Sequence, residues 1–297
     1  MEYGTIFHKI YLGTKEQLKM ENKRNYKIVA SDLDGTLLNK EQTVSEENLY
    51  AISEMNRLGV EFVPATGRGM NEVDLSLINS PDIRYIITSN GAVVFDKKLG
   101  KNILARYIPG DAVRLILETI RPYNVFIVVH EGGKTYFDKN KYNPEFLDIC
   151  GVNAYYGSII GQYAEAVEDF ESFLLSSGEV EVMCLFFEPD EGSRSSKKIF
   201  EDSGRLCAVS PVTNYLEVYS SDAGKGKTLV AFADMLGVDI ADVIAVGDSD
   251  NDTTLIEQAG LGLAVANACD ALKELADKTI CDHSEHIAKY LLENFII

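Results

Sequence analysis

The sequence predicts an α/β protein, an open parallel sheet divided by an inserted α+β unit. Short apolar runs alternate with helical patterns towards both ends of the chain, which is the rhythm of βαβ units. Those runs are nearly continuous in apolar residues, as expected of strands covered by helices on both faces. The middle of the chain instead reads as strands separated by hairpin-like turns.

The first strand is KIVA at 27–30, followed by a helix opened by Ser45, with Glu46 and Glu47 in its first turn and Gly59 as its stop. VEFVPA at 60–65 precedes a second helix, and RYIITS at 84–89 is a third strand. From about Val93 to about Asn214 the runs AVVF, VFIVV, KTYFD, VEVMCLFF and RLCAV read as strands, with EGGK at 131–134 as a hairpin turn and helices near 111–120 and 163–176. The parallel rhythm then resumes: KGKTLVAFADMLG at 225–237 has helical spacing, and DVIAV, LGLAVA and TIC (279–281) are strands. The predicted division is an N-terminal extension over 1–25, a core over 26–92 and 215–297, and an insert over 93–214. The extension stands apart by charge: five basic residues against three acidic ones within the first 26, a net of +2 in a chain of net charge −18.

That acidity opposes association with phosphate backbones, so no nucleic-acid partner is expected. The apolar runs are far shorter than the roughly 20 residues of a spanning helix, and no secretory signal is legible, so a cytoplasmic protein without a membrane partner is expected. The five cysteines show no CxxC spacing and suggest neither a disulfide framework nor a zinc site. Oligomeric state is not legible.

In an open parallel sheet, ligands bind beyond the carboxyl ends of the strands. The residues just after each strand are therefore the candidates: Asp32 and Asp34; Thr66, Gly67 and Arg68; Asn90; then Asp248, Asp250, Asn251 and Asp252. Each piece has an ordinary reading, as a turn, a cap or a solvated acidic loop. Their joint placement on one rim does not, because clustered carboxylates repel and require a cation. Hard oxygen ligands suit Mg²⁺, which shares its shell with phosphate. The segment AGKGKT at 223–228 fails as a P-loop, since Ser221 stands where the first glycine belongs. Lysines opening a helix oppose its dipole, so an anion near Lys225 or Lys227 is expected. His283 and His286, spaced i and i+3, read as residues of a surface helix.

In order and spacing, DLDGTLL at 32–38, Thr66 in ATGR, Lys225 and GDSDND at 247–252 resemble the four motifs of the haloacid dehalogenase superfamily. SNGA, KGKTL, LAVANA and ADKTI are similar to its Cof-type branch of small-molecule phosphatases. The resemblance implies a Rossmann-like core with an inserted α/β cap. It implies Asp32 as nucleophile, ionised at a reference pKa near 3.9 without an activating base, and Asp34 as acid and base. It implies Mg²⁺ held by Asp32, the Asp34 carbonyl and Asp248, phosphate held by Thr66, Gly67, Lys225 and Asn251, and Lys225 oriented by Asp252. The expected substrate is a small phosphorylated metabolite, sugar phosphates ahead of nucleotide or cofactor phosphates. A phosphomutase and a non-catalytic Mg²⁺-binding phosphate sensor are the alternatives. Thr253, Thr254 and Leu255 after the fourth motif, and CDHSEHIA at 281–288, depart from the family pattern and bear on substrate more than on catalysis. Arg68 and Asn90 are the expected core contacts to substrate, and His130, Lys134 and Tyr136 the candidates from the insert.

Overall fold

A computed structural model describes residues 24–150, 152, 154–189, 192–210 and 213–297. Most of the expected N-terminal extension, residues 1–23, lies outside the described residues. The strands are β1 (Ile28–Ser31), β2 (Glu61–Pro64), β3 (Tyr85–Thr88), β4 (Val93–Asp96), β5 (Lys101–Ala105), β6 (Val125–Glu131), β7 (Lys134–Asp138), β8 (Ala164–Val167), β9 (Val180–Phe187), β10 (Leu206–Val209), β11 (Tyr215–Ser220), β12 (Val243–Gly247), β13 (Leu261–Ala264) and β14 (Lys278–Thr279).

The core sheet runs β14-β13-β12-β1-β2, every pair parallel. An isolated parallel bridge from Ala65 to Ile87 lays β3 beside it. Its central strands β1 and β12 are buried on both faces, as the unbroken apolar runs required. The flanking helix Glu46–Arg57 starts where Ser45 accepts the Asn48 N–H at 3.2 Å and stops at Gly59, whose φ of +79° suits a left-handed cap.

The insert builds a second sheet, β10-β11-β9-β6-β7-β8, antiparallel except for β7 with β8. Period-2 alternation divides its residues between two packings. Val125, Ile127, Val129, Met183, Leu185 and Phe187 join the helices Gly110–Ile120 and Gly192–Asp202 in one apolar cluster. Phe126, Val128, Val182, Cys184, Phe186 and Tyr215 belong to another, on the face turned to the core. The EGGK turn is a two-glycine hairpin, Gly132 and Gly133 both at positive φ.

Three expectations differ. The strand AVVF, placed in the insert, is β4: it pairs with β3, and β5 pairs with β4, so the chain continues the core edge to Ala105 before the cap sheet begins. The helix expected over 163–176 is interrupted by β8, because AEAV pairs with β7, and the helix proper is Phe170–Ser176. After β2 there is only a 3₁₀ turn, Met70–Glu72, and a short helix, Leu75–Asn79. Among the described residues no helix is long and apolar enough to cross a membrane.

The helix Lys225–Met235 is seated on the core through Phe232, fully buried with its ring edge-on to Tyr85 at 4.9 Å. Removing that ring leaves a cavity under the helix. Phe232→Ala is expected to cost roughly 3–5 kcal/mol in a urea titration, with an unchanged slope.

Candidate active site

Asp32 follows β1 directly, and the chain then turns through Leu33–Leu37, closed by the Leu38 N–H donating to the Leu33 carbonyl at 2.9 Å. Gly35 takes φ +75° there, and a Cβ on it would collide with the Asp248 carboxylate. A side chain at this position would therefore push the two acidic loops apart. Asp248 directly follows β12 on the neighbouring strand, so the β1–β12 register brings residues more than two hundred apart in sequence to one rim.

Lys225 ties this rim together. Its ammonium, wholly buried, donates to Asp32 Oδ1 at 2.6 Å and to Asp252 Oδ1 at 2.7 Å. Burial alone would lower its pKa, but the attraction of Asp252 and Asp32 outweighs that and raises it. Asp252 Oδ2 accepts the backbone N–H groups of Asp248 and Ser249 at 3.1 and 3.2 Å, so both oxygens of this carboxylate are engaged. Lys227 instead caps the Ser221 carbonyl at 2.7 Å, which makes Lys225 the lysine that meets the anions expected at this helix start.

Asp32, Asp248 and Asp252 each offer an oxygen within 4.8 Å of the others. Two buried oxygens, Asp32 Oδ2 and Asp248 Oδ1, have no hydrogen-bond partner. Such atoms are costly unless something satisfies them. An oxygen-only donor set with two partnerless carboxylate oxygens fits a hard divalent cation such as Mg²⁺. Burial pushes Asp32 well above the usual carboxylate range, with repulsion from Asp252 adding to it and Lys225 opposing it. Asp248 is pushed up to about 6 by burial and by Asp252.

Asp34 is not part of this group of three but lines the same cavity as Asp32. Its carboxylate takes both arms of the Arg68 guanidinium, Nε at 2.8 Å and Nη2 at 2.5 Å. Arg68 also donates to Gln42 and to the Glu72 carbonyl. Expected as a substrate contact, Arg68 here fixes Asp34. Thr66, buried at the end of β2, accepts the Arg68 N–H through Oγ1 at 3.1 Å. Gly67 lies against Asn90 and Asn251, where a Cβ would stand 3.0 Å from Asn90 Oδ1. Asn251 donates to Asn90 Oδ1 at 3.2 Å, and Asn90 donates to Glu217 of β11 at 2.5 Å. Ser89 and Asn90 both adopt left-handed backbone angles, φ +52° and +53°, held by N–H bonds to the Arg68 and Thr66 carbonyls. Local strain in non-glycine residues clusters at functional sites.

Between this rim and the cap sheet lies a cavity of about 340 Å³, lined by Asp32, Asp34, Arg68 and Asn251 below and by Val128, His130, Phe186 and Glu217 above, among others. Core and cap are linked by buried polar contacts: Ser89 Oγ to Glu181 at 2.5 Å, Thr135 Oγ1 to Glu72 at 2.6 Å, and His130 beside Glu72 at 3.5 Å. Of the three insert candidates, only His130 lines the cavity. Lys134 is exposed in an ion pair with Glu165, and Tyr136 packs on Phe173. His283 and His286 do not share a helix. His283 Nδ1 meets the Leu38 carbonyl, and His286, left-handed at φ +60°, meets Ser45.

Glu72, Glu181 and Glu217 escaped the sequence reading. The last two left a signal, each a lone acid inside an apolar strand, in VEVMCLFF and YLEVYS.

A family model described as haloacid dehalogenase-like hydrolase matches residues 29–291. The chain belongs to the haloacid dehalogenase-like hydrolases. It is 28% identical over 290 residues to Phosphatase YwpJ of Bacillus subtilis, covering 91% of this chain and all of that one. It is 32% identical over 255 residues to the 5-amino-6-(5-phospho-D-ribitylamino)uracil phosphatase YcsE of the same organism, covering 84% of this chain and 88% of the relative. A solved haloacid dehalogenase-like hydrolase from B. subtilis superposes with a TM-score of 0.78 at 28% identity, covering 90% of this chain and 99% of that one. This haloacid dehalogenase-like hydrolase is thus a Cof-type phosphatase with a parallel core and a cap.

The His130–Glu72 contact makes a testable prediction about stability. Burial lowers the His130 pKa, but Glu72, with Glu181 and Glu217 behind it, raises it on balance above 6.5. Burial raises Glu72, but His130 and its hydrogen bonds bring it below 4.5 on balance. The raised histidine stabilises the fold fully below its unfolded value and loses that as pH rises through its folded value. The depressed glutamate stabilises fully above its unfolded value and loses that as pH falls through its folded one. Both contributions are complete from about pH 4.5 to 6.5. Glu72→Gln should therefore lower the urea midpoint more at pH 5.5 than at pH 8.5.

Proposed function

We propose that the protein is a cytoplasmic, Mg²⁺-dependent phosphatase of small phosphate monoesters that works through an aspartyl-phosphate, with sugar phosphates the class expected from the sequence. The carrying observation is the pair of partnerless buried oxygens, Asp32 Oδ2 and Asp248 Oδ1, beside the Lys225 ammonium at the floor of the cavity under the cap. Asp32, Asp248 and the Asp34 backbone carbonyl would hold the cation, whose chemistry when bound is to neutralise phosphate charge and align the attack.

The chain's own residues then divide the work. Asp32 attacks phosphorus, and the bond from phosphorus to the leaving oxygen breaks. Asp34 gives that oxygen a proton, then takes one from the water that attacks the acyl phosphate, releasing phosphate and restoring Asp32. Arg68 keeps the Asp34 carboxylate at a fixed place between these two duties. Lys225, Thr66, the Gly67 backbone and Asn251 bind phosphoryl oxygens, with Asp252 setting the ammonium. The cap, in our division the chain from Arg106 to Asn214, together with β11, closes the site against water.

Asp32→Asn should lower phosphate release at least about 10³-fold, measured as free phosphate in the presence of Mg²⁺, while the circular dichroism spectrum is retained. Isomerised phosphosugar without free phosphate would favour the mutase reading instead. For Asp34→Ala, the loss in kcat should be much larger with alkyl phosphates than with p-nitrophenyl phosphate, whose leaving group needs little protonation. Equal losses would remove Asp34 from the acid role.

A further inference from the structure

In our division the chain crosses between core and cap twice, and a surface groove of about 520 Å³ lies on both crossings. Arg106 stands on the way out, directly after β5, and Asp222 on the way back, just after β11. Lys227 and Val230 line the groove from the Lys225–Met235 helix, and Gln258 from the end of the helix Thr253–Gln258. The Arg106 backbone is fixed on the core side, its N–H donating to the Ala92 carbonyl at 2.7 Å. Its guanidinium reaches over to the return crossing, Nη1 donating to the Asp222 carbonyl at 2.6 Å, and Lys227 Nζ donates to the preceding carbonyl, Ser221, at 2.7 Å. The return crossing then runs through Gly224 directly into Lys225. Gly224 has φ +127°, an angle that suits glycine, with nothing within 4 Å of where a Cβ would stand. The groove thus joins both crossings to the helix that carries Lys225.

Charge and donor count identify the occupant. Two cationic heads sit on consecutive carbonyls, and among the described residues neither is neutralised by an ion pair, with Asp222 or any other acid. Each spends one N–H on its carbonyl, so Arg106 keeps most of its side-chain donors and Lys227 keeps the rest of its ammonium. With the Gln258 amide in the same lining, the groove is a set of N–H donors short of acceptors. A metal cation would meet two like charges and a single carboxylate. An apolar ligand would strip water from both heads and return nothing. A tetrahedral oxyanion satisfies a guanidinium fork and an ammonium together. In a chain of net charge −18, this local surplus of positive charge is also where such an anion meets least repulsion.

We propose that this groove is a second anion site, apart from the active rim, which holds a phosphate or phosphate monoester on Arg106, Lys227 and Gln258, and that the bound anion braces the two crossings and slows turnover. An anion shared by Arg106 and Lys227 ties the outward crossing to the helix that the return crossing enters, so the cap loses freedom to move against the core. The cavity above the aspartates lies between core and cap, and release from it depends on that freedom. The effect on turnover rests on the phosphatase reading above; the binding does not.

The first measurement is a phosphorus NMR titration of the full chain with inorganic phosphate in EDTA, where the uncompensated acids of the rim keep phosphate away from it and the groove is read alone. The native chain should bind, and the double variant Arg106→Gln with Lys227→Gln should not. Gln258→Glu leaves both carbonyl contacts untouched and should weaken binding at least about 5-fold, the effect of one like charge nearby. Phenylphosphonate, which cannot be hydrolysed, separates the sources of the anion: binding tighter than that of phosphate assigns the groove to a phosphorylated metabolite, weaker binding to the free product. The second measurement is p-nitrophenol release from p-nitrophenyl phosphate with Mg²⁺. Saturating phosphate should lower kcat of the native chain at least about 5-fold, the size of an ordinary coupling between sites, and leave kcat of the double variant unchanged. No binding by the native chain, equal binding by all three proteins, or a rise in KM at constant kcat in the native chain overturns the proposal. Absence of p-nitrophenol release without added phosphate overturns the phosphatase reading instead, and the NMR titration then decides the site by itself.

Discussion

The structure depends on one buried ion contact, the Lys225 ammonium between Asp32 and Asp252. A lysine moved out of water pays a desolvation cost that is recovered only in good geometry with its lone partners satisfied. Here it meets two carboxylates at hydrogen-bond distance, from residues 193 and 27 positions away. With Asp248 the cluster holds three acids against one ammonium, so it remains short of positive charge. That deficit suits the site to a hard divalent cation. The β1–β12 register, the Gly35 turn and the seating of the Lys225–Met235 helix all serve this one contact.

A second constraint joins the cap to the core. Ser89 with Glu181, Thr135 and His130 with Glu72, and Asn90 with Glu217 span the two sheets through buried polar atoms. Such networks are costly when half satisfied and specific when complete. Asn90 bridges the two halves, holding Asn251 on the core rim with its oxygen and Glu217 on the cap wall with its nitrogen. The cap wall and the core rim are thereby set in one register.

The core was legible in the sequence because its signals are local: continuous apolar strands, a serine cap, and acids placed directly after strands. Asp32, Thr66, Asp248 and Asp252 follow from that placement, and Lys225 from its place at the start of a helix. The remainder depends on distances that only folding creates. Arg68 beside a threonine reads as a free cation until the β1 turn brings Asp34 to it. Val93–Asp96 looks like any insert strand, and only its pairing with Tyr85–Thr88 assigns it to the core edge. The strand Ala164–Val167 carries no alternating pattern and exists because β7 offers it an edge. Glu217 was visible as an acid between two tyrosines, but which face of the strand looks onto the aspartates is fixed by register with β9.

The charge deficit at the rim is read out by substrate-free Mg²⁺ binding. Differential scanning calorimetry of the intact chain should show a Tm that rises with Mg²⁺ concentration, since a ligand of the folded state stabilises it by mass action. The rise should vanish in Asp248→Asn, where one of the two partnerless oxygens is lost as an anionic ligand. An equal Mg²⁺-dependent rise in both proteins would contradict the account.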